Sequence, residues 1–139
     1  MSNDDIIDSL NDLIETSKDG EYGFRASAEY LHDTNLKQSF ISRAEECRQA
    51  AAELQALVVR LGGSAEDGGT AGGALHRGWV AVKGTLAGYT DKAILEETER
   101  GEDTALSAYR ETLEEALPAD VRAVVERQIE GLKRNHELV

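Results

Sequence analysis

The sequence predicts an all-α protein whose main body is a bundle of four long helices. Three observations support this fold class. The 139-residue chain is rich in helix-favouring residues and contains only one proline. Its apolar residues recur at intervals of three and four, which is the spacing of an amphipathic helix. Clusters of glycine, the proline and several aspartates fall where this periodicity breaks, as expected at helix ends.

A first helical hairpin is predicted over residues 4–61. Its two helices cover about 4–32 and 36–61, and a polar sequence at 33–35 separates them. A Gly-Gly pair follows at 62–63, since glycine is common just after a helix C-terminus. The residues predicted to face the core of this hairpin are Ile6, Leu10, Leu13, Ile14, Phe24, Ala28, Leu31, Leu36, Phe40, Ala44, Cys47, Ala51, Leu54, Val58 and Leu61.

Residues 62–90 are predicted to form a glycine-rich loop followed by a short helix at about 74–87. One face of this short helix is apolar, and we expect it to pack on the bundle. That face carries Leu75, Trp79, Val82 and Leu86.

A second hairpin is predicted over residues 91–138. Its helices cover about 92–116 and 118–137, with Asp91 as the N-cap of the first and Pro118 at the start of the second. The residues predicted to face the core of this hairpin are Leu95, Ala105, Leu106, Tyr109, Leu113, Val121, Val124, Val125, Ile129 and Leu132.

The long linker between the hairpins predicts the topology. Its roughly 30 residues exceed what an up-and-down bundle needs, and they are enough to run from one end of the bundle to the other. Two hairpins joined by one long crossover form the ferritin-like topology. We therefore predict that residues 1–139 are a single ferritin-like domain in which the crossover carries the short helix.

Charge and composition narrow the class of partner and the compartment. The formal net charge of −12 disfavours binding to nucleic acid or to an anionic membrane. Cys47 is the single cysteine, so the chain cannot form an internal disulfide. The acidic N-terminus does not resemble a signal peptide, and no apolar run approaches the ~20 residues of a membrane span. We expect a cytoplasmic protein, with homo-oligomerisation left open.

Two glutamates interrupt the apolar stripes. Glu21 and Glu102 each follow a glycine, and each has the three-and-four spacing of the residues predicted to be buried. Counting from the turns places both near the middle of the bundle, at the level of Glu45 and Glu130. We expect Glu21 and Glu102 to face each other there. Four carboxylates at one level resemble the di-metal site of carboxylate-bridged bundles, in which two glutamates also begin Glu-x-x-His pairs.

Two interpretations of these carboxylates remain open. In the first, Glu21, Glu45, Glu102 and Glu130 bind iron or manganese, with His136 as a further ligand if the register shifts. In the second, they form an ion-pair layer, because Arg48 and Lys133 occupy the positions of the missing histidines. We prefer the ion-pair layer, with Arg48 and Lys133 neutralising Glu21 and Glu102.

Several motifs together resemble a bacterial family of uncharacterised four-helix-bundle proteins in the ferritin-like superfamily. The similarity covers nearly the whole chain and implies the ferritin-like fold, but it implies no reaction. The motifs are Leu10-Asn11-Asp12-Leu13-Ile14-Glu15-Thr16, Asp19-Gly20-Glu21, Leu61-Gly62-Gly63, Ala74-Leu75-His76-Arg77-Gly78-Trp79, Asp91-Lys92-Ala93-Ile94-Leu95, Glu99-Arg100-Gly101-Glu102-Asp103, Leu117-Pro118 and Arg134-Asn135-His136.

The sequence contains no recognisable catalytic motif. It lacks a nucleophile elbow, a phosphate-binding loop and the cysteine–histidine spacing of a zinc site. We therefore predict a non-catalytic bundle that acts through self-association or partner binding, with stress physiology as a candidate setting. The alternative is a variant di-metal protein that uses the carboxylates above and binds iron or manganese as its cofactor.

Overall fold

The computed structural model describes residues 2–65 and 90–137. Within these ranges it contains four α-helices and no strand, which confirms the predicted all-α class for this part of the chain. The short helix predicted at 74–87, with its Trp79 face, lies outside the described residues. The helices are α1 (Asn3–Ala28), α2 (Thr34–Arg60), α3 (Asp91–Leu113) and α4 (Ala119–Glu137). None of them combines the length and hydrophobicity that a membrane-spanning segment requires.

The observed start of α1 follows directly from the local sequence. The Ser2 hydroxyl accepts a hydrogen bond from the backbone N–H of Asp5 at 3.2 Å. In return, the Asp5 carboxylate accepts from the backbone N–H of Ser2 at 3.2 Å. This reciprocal capping box satisfies backbone donors that have no partner within the helix.

The end of α1 and the start of α3 differ from the predictions for one shared reason. α1 stops at Ala28, four residues before the predicted His32. The backbone N–H groups of His32 and Asp33 instead donate to the Asp91 carboxylate, at 2.8 and 2.9 Å. Because Asp91 makes these contacts, Thr90 caps α3 in its place, through a 3.2 Å bond from the Ala93 N–H.

α3 also ends earlier than predicted, at Leu113 rather than at residue 116. The Arg122 guanidinium, near the start of α4, donates to the backbone carbonyl oxygens of Leu113 and Glu115 at 3.1 and 2.6 Å. These carbonyl groups would otherwise be unsatisfied at a helix C-terminus. The arginine therefore stabilises the turn between α3 and α4.

Contacts at the two ends of the bundle fix the direction of each helix. At one end, Asp91 at the start of α3 contacts the turn that joins α1 to α2. At the other end, Ser9 of α1 donates to Glu115 after α3 at 2.9 Å, and Arg60 of α2 pairs with Asp120 of α4 at 2.6 Å. α1 and α4 therefore run in one direction, and α2 and α3 run in the opposite direction.

Two apolar clusters occupy opposite ends of the bundle interior. The larger cluster lies where α1 begins, and its buried members are Ile6, Leu10, Leu13, Ile14, Leu54, Leu57, Val58, Leu106, Tyr109, Val121, Val125 and Ile129. The smaller cluster lies near the α1–α2 turn and consists of Phe24, Ala28, Leu31, Phe40, Ala44 and Ile94. Within it, the rings of Phe24 and Phe40 meet edge to face with their centroids 5.3 Å apart. Most of the predicted core residues belong to these clusters or pack against them.

Candidate functional site

A cavity of about 720 Å³ lies between the two apolar clusters, and all four helices line it. Several of its lining positions carry no side chain or only a methyl group. Because such positions cannot fill the interior, helices that pack normally at the bundle ends leave space between them at mid-height. These positions are Gly20, Ala50, Gly101, Ala105 and Gly131.

Gly20 also permits a close approach of α1 to α2. A Cβ atom added at Gly20 would lie 3.0 Å from the Cys47 sulfur, which is tighter than an ordinary contact. The glycine next to the predicted glutamate thus has a packing role.

Burial raises the pKa of Cys47 to about 12, and the negative charges of Glu46, Glu21 and Glu102 add to the shift. The thiol therefore stays protonated at neutral pH and is a poor nucleophile.

A buried ion pair forms one boundary of the cavity, which we call the arginine layer (Arg43, Glu102 and Asn135). The Arg43 guanidinium donates to the Glu102 carboxylate at 3.0 Å, and the two side chains are only 6% and 5% exposed. Arg43 also donates to the backbone oxygen of Asn135 at 2.6 Å. Its charged carbon lies 5.8 Å from the ring centre of Phe24 and 6.0 Å from that of Phe40. The charges of this layer are thus extensively compensated.

The opposite boundary is a hydrogen-bonded network, the tyrosine layer (Ser17, Glu53, Tyr109 and Gln128), with one residue from each helix. The Tyr109 hydroxyl donates to the Gln128 amide oxygen at 2.6 Å and lies 3.4 Å from the Ser17 hydroxyl. The Gln128 amide donates to Glu53 at 2.8 Å, and Glu53 also pairs with Arg127. Burial raises the pKa of Tyr109 to about 12, so its phenol remains a donor.

Asp19 lines the cavity without such compensation. Within the described part of the chain, its Oδ2 atom is shielded from solvent and has no hydrogen-bond partner. Burial raises the pKa of Asp19 to about 7, and the nearby charge of Glu15 adds to the shift. Asp19 is not among the site residues predicted from the sequence. Its only signal was its place directly before the Gly20-Glu21 pair.

The carboxylates predicted to form one site are paired separately. Glu102 is buried, as its spacing indicated, but its cation is Arg43 rather than Arg48 or Lys133. Glu21 lies 3.3 Å from Arg25 of its own helix. The ion pairs of Glu102 and Glu21 among the described residues are thus with Arg43 and Arg25. Glu21 still acts on Arg48, because its charge contributes to raising the pKa of Arg48. The prediction that Arg48 and Lys133 neutralise Glu21 and Glu102 stays a prediction.

Arg48 and Lys133 instead pair on the surface with the glutamates three residues before them. Arg48 contacts Glu45 at 2.5 Å, and Glu45 also lies 3.6 Å from Arg25. Lys133 lies 3.4 Å from Glu130, whose side chain is 60% exposed. These i,i+3 pairs satisfy each charge on its own helix, so neither cation needs to reach the interior.

Within residues 2–65 and 90–137, no group of three or more carboxylate, histidine or cysteine side chains is arranged to hold a metal ion. The side chain of His136, the further ligand in the metal interpretation, lies outside the described residues. A metal site that includes it stays a prediction.

The model of a family described as a domain of unknown function, DUF2383, matches residues 5–115. The matched range includes nearly all of α1 and the whole of α2 and α3, and therefore three of the four helices that line the cavity. No curated protein sequence is significantly similar to the chain.

Proposed function

This chain belongs to the DUF2383 family, and we propose that it is a non-catalytic protein whose mid-bundle cavity binds a small molecule. The observation that carries the proposal is the cavity itself. Its volume of about 720 Å³ lies within the roughly 300–1,000 Å³ typical of ligand sites. Its boundaries are polar layers that extend across the helices, and small residues line the space between them.

The size of the cavity supports an occupied site rather than an accidental packing defect. The cavity is partly open to solvent, so water fills it when no ligand is bound. A ligand with an apolar body would replace water along the glycine and alanine positions and contribute hydrophobic stabilisation.

The lining offers no activated nucleophile, which supports binding rather than covalent catalysis, although Asp19, with a pKa raised to about 7, can exchange a proton near neutral pH. Cys47 and Tyr109 both have a pKa raised to about 12, so neither is ionised near neutral pH. Arg43 and Glu102 are held in a buried ion pair with each other. Un-ionised side chains such as Cys47 and Tyr109 can donate hydrogen bonds and shape the cavity, but they do not supply an activated nucleophile.

Further features support a ferritin-like arrangement for this binding protein. α2 ends near the start of α1, whereas α3 begins at the α1–α2 turn, so the end of the first hairpin and the start of the second lie at opposite ends of the bundle. α2 alone is about 40 Å long, at 1.5 Å per residue for its 27 residues. One long crossover of this kind is the ferritin-like connection, and it agrees with the resemblance to a bacterial ferritin-like family.

The charge of −12 supports a role that involves neither nucleic acid nor an anionic membrane. Self-association of the bundle is compatible with a ligand site of this kind, because the cavity lies between helices of one chain.

A titration with N-phenyl-1-naphthylamine, an uncharged fluorescent arene, tests the proposal. We expect saturable fluorescence enhancement with about one dye per chain. Gly131→Leu should abolish it, since the added side chain would extend into the cavity; a Cβ at Gly131 meets only Arg134 Nη2, at 3.7 Å. Gly131→Ala is the matched control and should keep the dye bound, because a methyl group occupies little of the volume.

Two outcomes would contradict the proposal. The dye could fail to saturate on the wild-type protein, or it could bind Gly131→Leu as tightly as the wild type. Circular dichroism and urea unfolding of both variants establish that each is folded when the comparison is made.

A further inference from the structure

The charges around the cavity are unevenly compensated. Glu102 is paired with Arg43, and Glu53 is paired with Arg127. The Glu46 carboxylate accepts a hydrogen bond from the Asn135 amide at 2.5 Å. Asp19 has an oxygen, Oδ2, that is withdrawn from solvent and makes no hydrogen bond within the described ranges. Glu102 also has one such oxygen, Oε2, but its charge is neutralised by Arg43, whereas no ion pair with Asp19 is found among the described residues.

A half-buried carboxylate in this position favours a cation beside it. Removing an ionised oxygen from water without a partner is unfavourable, and a nearby positive charge offsets that cost. The negative charge of Glu15 acts on Asp19 with the same sign and makes the position worse for an anion. A bound cation at Asp19 would therefore stabilise both itself and the carboxylate.

The neighbouring lining restricts what this cation can be. A metal ion needs several oxygen, nitrogen or sulfur ligands, and no suitable group of three is present among the described residues. The remaining walls include Phe24, Leu132 and Ala105, which offer apolar surface. An organic cation with an apolar body matches this combination of one carboxylate and an apolar wall.

Arg134 also lines the cavity, and it is the group that would favour an anion instead. Its side chain is exposed, so water already solvates its charge. Recruiting an anionic ligand to Arg134 would also place that ligand in the same cavity as Asp19. Because water solvates the charge of Arg134 but does not reach the Oδ2 atom of Asp19, a positively charged ligand is favoured over a negatively charged one.

We propose that the ligand of the mid-bundle cavity is an organic monocation, an amine with an aromatic or other apolar body, whose ammonium group pairs with Asp19. This inference rests on the proposed function, since it names the class of molecule that the cavity takes. The ammonium group would donate to the Asp19 carboxylate, and the body would lie along the small residues between the arginine and tyrosine layers.

Isothermal titration with three indoles of similar shape tests the charge preference. Tryptamine carries an ammonium group, tryptophol an uncharged hydroxyl and indole-3-propionate a carboxylate. We expect tryptamine to bind at least about tenfold more tightly than tryptophol, and indole-3-propionate to bind most weakly. In Asp19→Asn, the preference for tryptamine over tryptophol should fall below about threefold. Asp8→Asn is the matched control, because Asp8 is an exposed carboxylate of α1 outside the cavity and its removal should leave the preference intact.

The outcomes separate this inference from the proposed function. Equal binding of tryptamine and tryptophol, both lost in Gly131→Leu, would overturn the amine assignment while the cavity remained a binding site. Tightest binding by indole-3-propionate, or an amine preference that persists in Asp19→Asn, would overturn it as well. If none of the indoles binds and N-phenyl-1-naphthylamine also fails, the proposed function falls together with the inference.

Discussion

Arg43 on α2 and Glu102 on α3 form an ion pair at 3.0 Å with both side chains almost completely buried. This contact joins the two hairpins at the boundary of the cavity. A buried pair of this kind is costly to break, because the remaining partner keeps its charge in a place that water does not reach.

We expect Arg43→Ala to lower the free energy of unfolding by about 3–5 kcal/mol, since it leaves Glu102 charged and buried. The double variant Arg43→Met/Glu102→Leu should recover most of that loss, because it removes both charges and keeps the volume filled. Urea unfolding followed by circular dichroism measures all of these variants. Arg48→Ala is the control, and its surface pair with Glu45 should leave the midpoint unchanged. A large loss of unfolding free energy in Arg48→Ala but not in Arg43→Ala would contradict the assignment of Arg43 as the cation that stabilises Glu102.

The origin of this pair shows how far the sequence could predict the site. Glu102 was placed in the interior because its spacing matches the apolar stripe of α3. Arg43 lies on the stripe of α2 by the same rule, between Phe40 and Cys47, yet arginine is normally assigned to the surface. The spacing could therefore have identified it as the partner.

Other features depend on tertiary distances that a single helix pattern does not contain. The cavity volume follows from the separation of four helices. That Asp19 Oδ2 has no hydrogen-bond partner in the described part of the chain likewise depends on residues distant in sequence. The early end of α1 depends on Asp91, which lies 58 residues after Asp33 in sequence. The apolar periodicity, in contrast, was sufficient to predict all four described helices.

The glycines of the cavity should respond oppositely to alanine. A Cβ at Gly131 meets only Arg134 Nη2, at 3.7 Å, so Gly131→Ala should stabilise the protein by roughly 0.5–1 kcal/mol through helix propensity. A Cβ at Gly20 lies 3.0 Å from the Cys47 sulfur, which should cancel or reverse that gain. Thermal unfolding compares the two variants. In a double-mutant cycle, Cys47→Ala should relieve the contact and make Gly20→Ala more favourable; equal effects of Gly20→Ala in both backgrounds would show that the contact is not limiting.

Asp19 predicts a specific pH dependence of stability. Its pKa of about 7 in the folded state exceeds the ordinary value of 3.8, so the folded state binds the proton more tightly than the unfolded state. Stability should therefore fall as the pH rises between about 4 and 7. Solvent screening of this half-exposed group reduces the effect to about 1–2 kcal/mol. Urea midpoints of the wild type and Asp19→Asn at pH 5 and pH 8 isolate the contribution, and the variant should gain relative stability at pH 8. Parallel pH profiles would contradict the raised pKa.

The metal interpretation and the separate ion pairs predict different results when metal ions are added. Because Glu21 and Glu102 have protein cations beside them, we expect Fe²⁺ and Mn²⁺ to leave the melting temperature unchanged. Elemental analysis after expression with both metals and gel filtration provides the second measurement. Two tightly bound ions per chain, lost in Glu21→Gln, would establish the di-metal alternative, since a ligand that binds the native state raises its stability by mass action.

The two polar layers have a consequence for the alignment of the hairpins. Apolar faces alone would tolerate a slide of one hairpin along the other by a helical turn, about 5.4 Å, because leucine and valine contacts can re-form in many places. Such a slide would separate Arg43 from Glu102 at one level and Gln128 from Glu53 at another. Only one longitudinal setting satisfies both levels at once. The hydrogen bonds thus fix the longitudinal alignment of the two hairpins, and the cavity between the layers has the same length in every folded molecule.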